Sequence, residues 1–229
     1  MPTKRGNARL VVIAIAAFLT PVVVGFAILF TILQKRAELA PYDPRVRHHV
    51  TDQMVSQTER MATQPAPEFG ADGSDGKRHT LGDLLQSGPV LITFVNVDCP
   101  CSVDAEPMFQ AFASAYPGLT VVGVIGASDA KTRAWGRTNH VRHLLLADPD
   151  FKIIHAYGAI ASIYTALVTP RGKIAKMWPG YWQDMMAEVS SKTADLLGVP
   201  AATLPANLAP AEKAAGCAFP QPAPHIRRF

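Results

Sequence analysis

Residues 90–97 read VLITFVNV, an apolar and largely β-branched run with apolar side chains at both odd and even positions. A strand of this kind buries both of its faces, so it needs cover on both sides and belongs at the centre of a sheet. The next residues, Asp98-Cys99-Pro100-Cys101-Ser102, open a helical pattern that sets Met108, Phe109, Phe112 and Tyr116 on one side and stops at Pro117-Gly118. Proline is well placed at the first helical position, because its missing N–H would be unpaired there anyway. The run therefore predicts a strand that hands over directly to a helix, with two cysteines at the junction.

The flanking pattern extends this unit. A Gly/Asp/Ser-rich stretch over residues 70–77 predicts a hairpin turn, and Thr80 caps a short helix through Leu81, Leu84 and Leu85. Residues 119–125 (LTVVGVI) predict a second buried strand, residues 128–137 a helix, and residues 143–147 a third strand. The turn Asp148-Pro149-Asp150 leads into a short helix through Tyr157. Residues 163–169 and 173–178 flank Pro170-Arg171-Gly172 as a β-hairpin, and residues 181–197 close the domain as an amphipathic helix. Alternating strands and helices followed by a hairpin predict a mixed α/β sheet with helices on both faces, a thioredoxin-like architecture.

Outside this unit the composition changes. Residues 10–33 contain no charged side chain over 24 positions, long enough to cross about 30 Å of hydrocarbon as a helix despite Pro21 and Gly25. Gln34-Lys35-Arg36 follows at once, where a cleaved signal would carry small residues, so an uncleaved anchor is expected. The basic residues on its two sides do not decide orientation. A leader of only nine residues favours a cytoplasmic amino terminus, with the globular domain on the extracytoplasmic, periplasmic side of the cell membrane as a single-pass protein. The expected organisation is a leader (1–9), a transmembrane helix (10–33), a juxtamembrane linker (34–64), partly helical over residues 50–63, a thioredoxin-like domain (65–198) and an Ala/Pro-rich tail (199–229), partly disordered. His48-His49 in the linker reads as two exposed histidines.

The net charge of +4 comes from scattered Lys and Arg without an aromatic-interleaved basic stripe, which argues against a nucleic-acid partner. Three cysteines are too few for a structural disulfide framework. Trp135, Trp178 and Trp182 are expected to fill the core or its edge.

With these residues in view the chain resembles the redoxin branch of the thioredoxin superfamily, the alkyl hydroperoxide reductase/thiol-specific antioxidant-like proteins and the membrane-anchored thioredoxin-like oxidoreductases. Residues 66–197 carry the likeness in four segments: APEF, TFVNVDCPCSVDAEP, LLADPDFKIIHAYG and TALVTPRGKIAKMWPGY. The resemblance implies a thioredoxin-like fold and redox-active cysteines, with no cofactor and no metal. The family's Cys-x-x-Cys site has a proline eight residues after the first cysteine; Pro107 stands in that relation to Cys99, and Ser102 falls where the second cysteine would be. The second thiol has moved to Cys101. Ile163 takes the place of the family's cis-proline or, in peroxidases, its arginine. Asn96 takes the place of the peroxidases' threonine.

The resemblance thus implies a membrane-anchored thiol-disulfide oxidoreductase acting on protein thiols or disulfides. Cys99 would be the attacking thiol and Cys101 the resolving one, with Pro100, Ser102, Pro107 and Tyr164 in support. A helix amino terminus lowers a thiol pKa and Asp98 raises it. Cys217 is either an incidental tail cysteine or a resolving thiol. The alternatives are a peroxiredoxin-like peroxidase with antioxidant activity, a redoxin-fold accessory subunit of a membrane complex, buried cysteines with no chemistry, and a Cu(I) site of Cys99 and Cys101 aided by His140 and His143.

Overall fold

The structure, a computed structural model, describes Gly25 and residues 48–221. The apolar run over residues 10–33 lies outside the described residues apart from Gly25, and none of the described helices is long and apolar enough to cross a membrane.

A five-stranded sheet forms the centre, in the order β6 (Leu144–Ala147), β5 (Thr120–Ile125), β4 (Val90–Val95), β7 (Thr165–Val168), β8 (Ile174–Trp178). β4 runs parallel to β5, and β5 parallel to β6, while β7 and β8 are antiparallel additions. This is the mixed thioredoxin-like sheet that the element order predicts, with the VLITFV strand in the middle and every one of its residues buried. Val90, Ile92 and Phe94 join Val122, Val124 and Tyr157 in one core layer. Leu91 joins Val121, Phe109, Phe112 and Val189 in the other. Each fully buried side chain of this size contributes about 1.5–3 kcal/mol, so a central strand loaded on both faces fixes its own register.

Six helices cover the sheet among the described residues: α1 (Asp52–Met61), α2 (Leu81–Leu85), α3 (Pro100–Ala115), α4 (Asp129–Thr138), α5 (Lys152–Ala156) and α6 (Gln183–Leu197). Local signals set their ends, at Thr80 as the sequence suggests. The Thr80 hydroxyl accepts from the Asp83 N–H at 3.1 Å, the Thr51 hydroxyl accepts from Met54 at 3.3 Å, and α6 stops at Gly198 in the left-handed conformation at φ 66°. Pro107 lies inside α3 on its exposed side, where it withholds one backbone hydrogen bond.

Two segments differ from the linker and tail expected of them. Residues 48–64 pack on the domain: α1 lies along β8, the Thr63 N–H donates to the Ile174 carbonyl at 2.8 Å, and Met54 and Met61 reach the core. Residues 200–221 also fold back. Tyr116 anchors their start, its hydroxyl accepting from the Ala202 N–H at 2.7 Å and bonding Ser190. Further on, β9 (Ala214–Ala215) pairs antiparallel with β1 (His48–His49), so the two flanking segments form one short ribbon. Ala214 also bridges Tyr181, and Ala218 bridges Ala161. Glycine makes this approach fit: a Cβ on Gly180 would stand 2.0 Å from the Ala214 carbonyl oxygen, and one on Gly216 would stand 2.0 Å from the Ser162 hydroxyl.

Candidate active site

The strand-to-helix junction follows from the sequence at each step. β4 ends at Val95, the Asn96 side chain accepts from the Asp98 N–H at 3.0 Å, and Cys99 becomes the N-cap of α3 with extended backbone angles. Pro100 takes the first helical position. The Ser102 N–H closes the first turn on the Cys99 carbonyl at 2.9 Å, and its hydroxyl accepts from the Asn96 N–H at 3.3 Å, so Ser102 ties helix to strand. Cys99 therefore sits at the positive end of a helix of 16 residues, where unpaired N–H groups favour an anion.

Both Cys99 and Cys101 are only 1% exposed. The third cysteine comes to them. The Cys217 backbone N–H donates to the Cys99 sulfur at 3.1 Å, and the Cys217 carbonyl in turn accepts from the Ser162 N–H at 2.9 Å. The Cys101 thiol, donating to the Cys99 sulfur, is the largest influence that holds the Cys99 thiol far below its ordinary range, at about 4. Burial opposes this and is outweighed by the added Cys217 thiol, Ser162 hydroxyl and Cys217 N–H. The Ser162 hydroxyl stands beside the sulfur without the alignment of a formal hydrogen bond. Asp98, exposed to water, does not reverse the outcome.

Cys217 is pushed the opposite way, to about 12, first by burial and then by its place beside the Cys99 sulfur. One sulfur thus carries the charge and two neighbours donate to it. Absorbance of one thiolate is expected throughout about pH 5–8, fading only as pH falls to about 4; an ordinary thiol near 8.5 would absorb only above about pH 8. Ultraviolet titration of the reduced protein reads this directly. A midpoint near pH 8 would refute the assignment.

Ile163 closes the site from β7's side. It packs in the same layer as Cys99 and Cys101, and its φ of 67° is a left-handed conformation that a β-branched residue adopts only under constraint. Its N–H donates to the Phe94 carbonyl at 2.7 Å, so β4 itself holds the strained residue in place.

Tyr164, expected beside the cysteines, is not there. It is fully buried in the opposite layer with Phe94 and Tyr157, because neighbouring positions on the strand face opposite sides. Pro107 lies on the outer side of α3, away from the sulfurs. His143 packs against Glu106 instead, at 3.4 Å, and no group of three or more His, Cys, Asp or Glu among the described residues is placed to hold a metal ion. Trp135, Trp178 and Trp182 are buried. Ser162 and Gly216 escaped the sequence reading: Ser162 meets Cys99 from the stretch just before β7, and Gly216 reaches Ser162 only through the folded-back segment.

A thioredoxin-like sheet with a cysteine thiolate at the amino terminus of the helix after its central strand defines a redoxin. The AhpC/TSA family matches residues 62–177, half of the chain, and the chain belongs to it. It is 29% identical over 126 residues to the thiol-disulfide oxidoreductase ResA of Bacillus subtilis (strain 168), covering 53% of this chain and 69% of that one. The thioredoxin domain of a thiol-disulfide oxidoreductase from Bacteroides vulgatus superposes with a TM-score of 0.52 at 18% identity, over 58% of this chain and 97% of that one. The peroxidoxin BcpB of Mycobacterium tuberculosis gives 0.52 at 16% identity, over 61% and 98%. These two likenesses show the fold.

Proposed function

We propose that the chain is a thiol-disulfide oxidoreductase in which Cys99 attacks disulfides of protein partners. The observation that carries the reading is the Cys99 sulfur at the α3 amino terminus, accepting the Cys217 N–H at 3.1 Å. A thiolate held in this way is charged at neutral pH, and holding it stabilises the reduced form, so the site is comparatively oxidising; the sulfur is 1% exposed, so a partner reaches it only when the Cys217 segment lifts. The Cys99 thiolate attacks a partner disulfide, the partner leaves one sulfur as a thiolate, and a second thiol of this chain then releases the other. The partner gains two electrons and this chain loses two. The named similarity to ResA supports this chemistry. The apolar run over residues 10–33 supports a membrane tether, the proposed side for the domain is the extracytoplasmic one, and a tethered domain suits docking to a membrane complex.

The peroxidase alternative has Asn96 and Ile163 where peroxidases of the family carry threonine and arginine. One experiment separates the readings: the reduced full-length chain is given glutathione disulfide or hydrogen peroxide at equal concentration. Consumption of the disulfide at least about tenfold faster than of the peroxide is the expected result. A preference for peroxide, with a sulfenate on Cys99, overturns it.

A further inference from the structure

We propose that Cys217 resolves the Cys99 adduct, so that the working disulfide joins Cys99 to Cys217 across the fold while Cys101 acts as a positioning residue that donates to the Cys99 sulfur. The inference rests on the exchange reading above and adds the identity of the second thiol.

Geometry separates the two candidates. Cys101 is the second residue of α3, two positions from the extended N-cap Cys99, and its thiol already donates to the Cys99 sulfur, so contact alone does not make it the resolving group. A bridge between them closes a very small ring around Pro100, whose φ is fixed, and would have to undo the first turn that Ser102 closes. Cys217 comes from a separate segment whose backbone already lies on the Cys99 sulfur. That segment is held on both sides of Cys217: the Gly216 N–H donates to the Ser162 carbonyl at 3.2 Å, the Cys217 carbonyl accepts from Ser162, and Phe219, 3% exposed, donates its N–H to the Ile160 carbonyl at 2.9 Å. A bridge between Cys99 and Cys217 needs no helix turn to open.

Charge then orders the steps. Burial and the neighbouring Cys99 sulfur keep Cys217 protonated while Cys99 is a thiolate, so only Cys99 attacks first. Once the Cys99 sulfur is bonded to a partner sulfur its charge is gone, and with it one of the influences that disfavoured a Cys217 thiolate. The Cys217 sulfur loses its proton and attacks the Cys99 sulfur; the bond from Cys99 to the partner breaks, and the partner leaves as a thiolate that takes up the proton. The partner sulfur released in the first step, also a thiolate, takes its proton from solvent, so the partner disulfide ends as two thiols while Cys99 and Cys217 end as one disulfide.

The test uses the reduced full-length chain and glutathione disulfide, followed by mapping of disulfide-linked peptides by mass spectrometry without reduction. The wild-type chain is expected to link the peptide carrying Cys99 to that carrying Cys217. Cys101→Ser should still form that link, and Cys101→Ala should form it with the thiolate titration moved to higher pH. Cys217→Ser and Cys217→Ala should both accumulate the Cys99–glutathione adduct, with a lifetime at least about tenfold longer. Undiminished resolution in both Cys217 variants, with adduct accumulating in Cys101→Ser, overturns the inference and leaves the exchange reading standing. An adduct forming normally in Cys99→Ser would instead sink the exchange reading itself.

Discussion

Replacement of Cys99 by serine is expected to lower exchange with a protein disulfide to background, a loss of at least about 10³-fold, while leaving the fold intact. A serine hydroxyl stays protonated at neutral pH, so the group that would attack is absent. The structural cost is small. Serine is close to cysteine in volume, and its oxygen still accepts the Cys217 N–H that now reaches the sulfur. Neither does the substitution disturb Pro100 at the first helical position or the Ser102 bonds that close the turn. At about pH 4 and below, where the Cys99 thiol is itself protonated, Cys99→Ser should therefore unfold within about 1.5 kcal/mol of wild type in urea, and the gap should widen as pH rises. A variant that retains a tenth of wild-type exchange, or that loses activity only by unfolding, is incompatible with a Cys99 thiolate as the attacking group.

The second large effect is expected from Glu106→Gln, read as stability against pH. Glu106 is 2% exposed, and its carboxyl faces His143 Nδ1 at 3.4 Å. Burial pushes the carboxyl up to about 8, against a weaker hydrogen bond from Gln110 that favours the charged form. Burial also pushes the His143 imidazole down to about 4. Between those values both groups are neutral, so the pair is a buried acid beside a buried imidazole and not an ion pair.

A raised carboxyl stabilises the fold fully below its unfolded value near 4.5, and that stability is lost as pH rises through about 8. The depressed imidazole acts on the acid side: its contribution is complete above about 6.5 and is lost as pH falls through about 4. Cys99, also depressed, contributes stability that is complete above about 9 and lost as pH falls through about 4. The difference between wild type and Glu106→Gln cancels the Cys99 contribution. Glutamine stays neutral, so the variant should match wild type near pH 5 and exceed it by on the order of 3–5 kcal/mol at pH 9. Urea midpoints at the two pH values measure this. Parallel curves would exclude a protonated Glu106 in the fold.

What the sequence revealed was what local pattern dictates. Apolar residues at both parities place VLITFV at the sheet centre, Cys99-Pro100 marks the helix start, Thr80 caps α2, and the hairpin around Gly172 follows from its turn residues. Each is set by neighbours within a few positions. Tyr164 shows where a period of two had to be respected: with Ile163 on the cysteine side, its neighbour faces the other layer. The flanking segments were illegible for a different reason. Residues 200–221 are rich in alanine and proline and carry few large apolar side chains, so their composition resembles a solvated tail. Their order comes from small residues lying close against backbone, as Gly180 does against Ala214 and Gly216 against Ser162. Such fits depend on partners far away in the chain, which no periodicity encodes. The setting of Cys99 was half visible for the same reason, its helix being local and its cap of Cys217 and Ser162 distant.

The ribbon of His48–His49 with Ala214–Ala215 makes entrance and exit of the domain a single latch. The strand that pairs with residues 48–49 ends two residues ahead of Cys217, whose N–H reaches the Cys99 sulfur. A piece cut at residues 65 and 198 would lack both strands of this ribbon and, with them, the Cys217 N–H on the Cys99 sulfur.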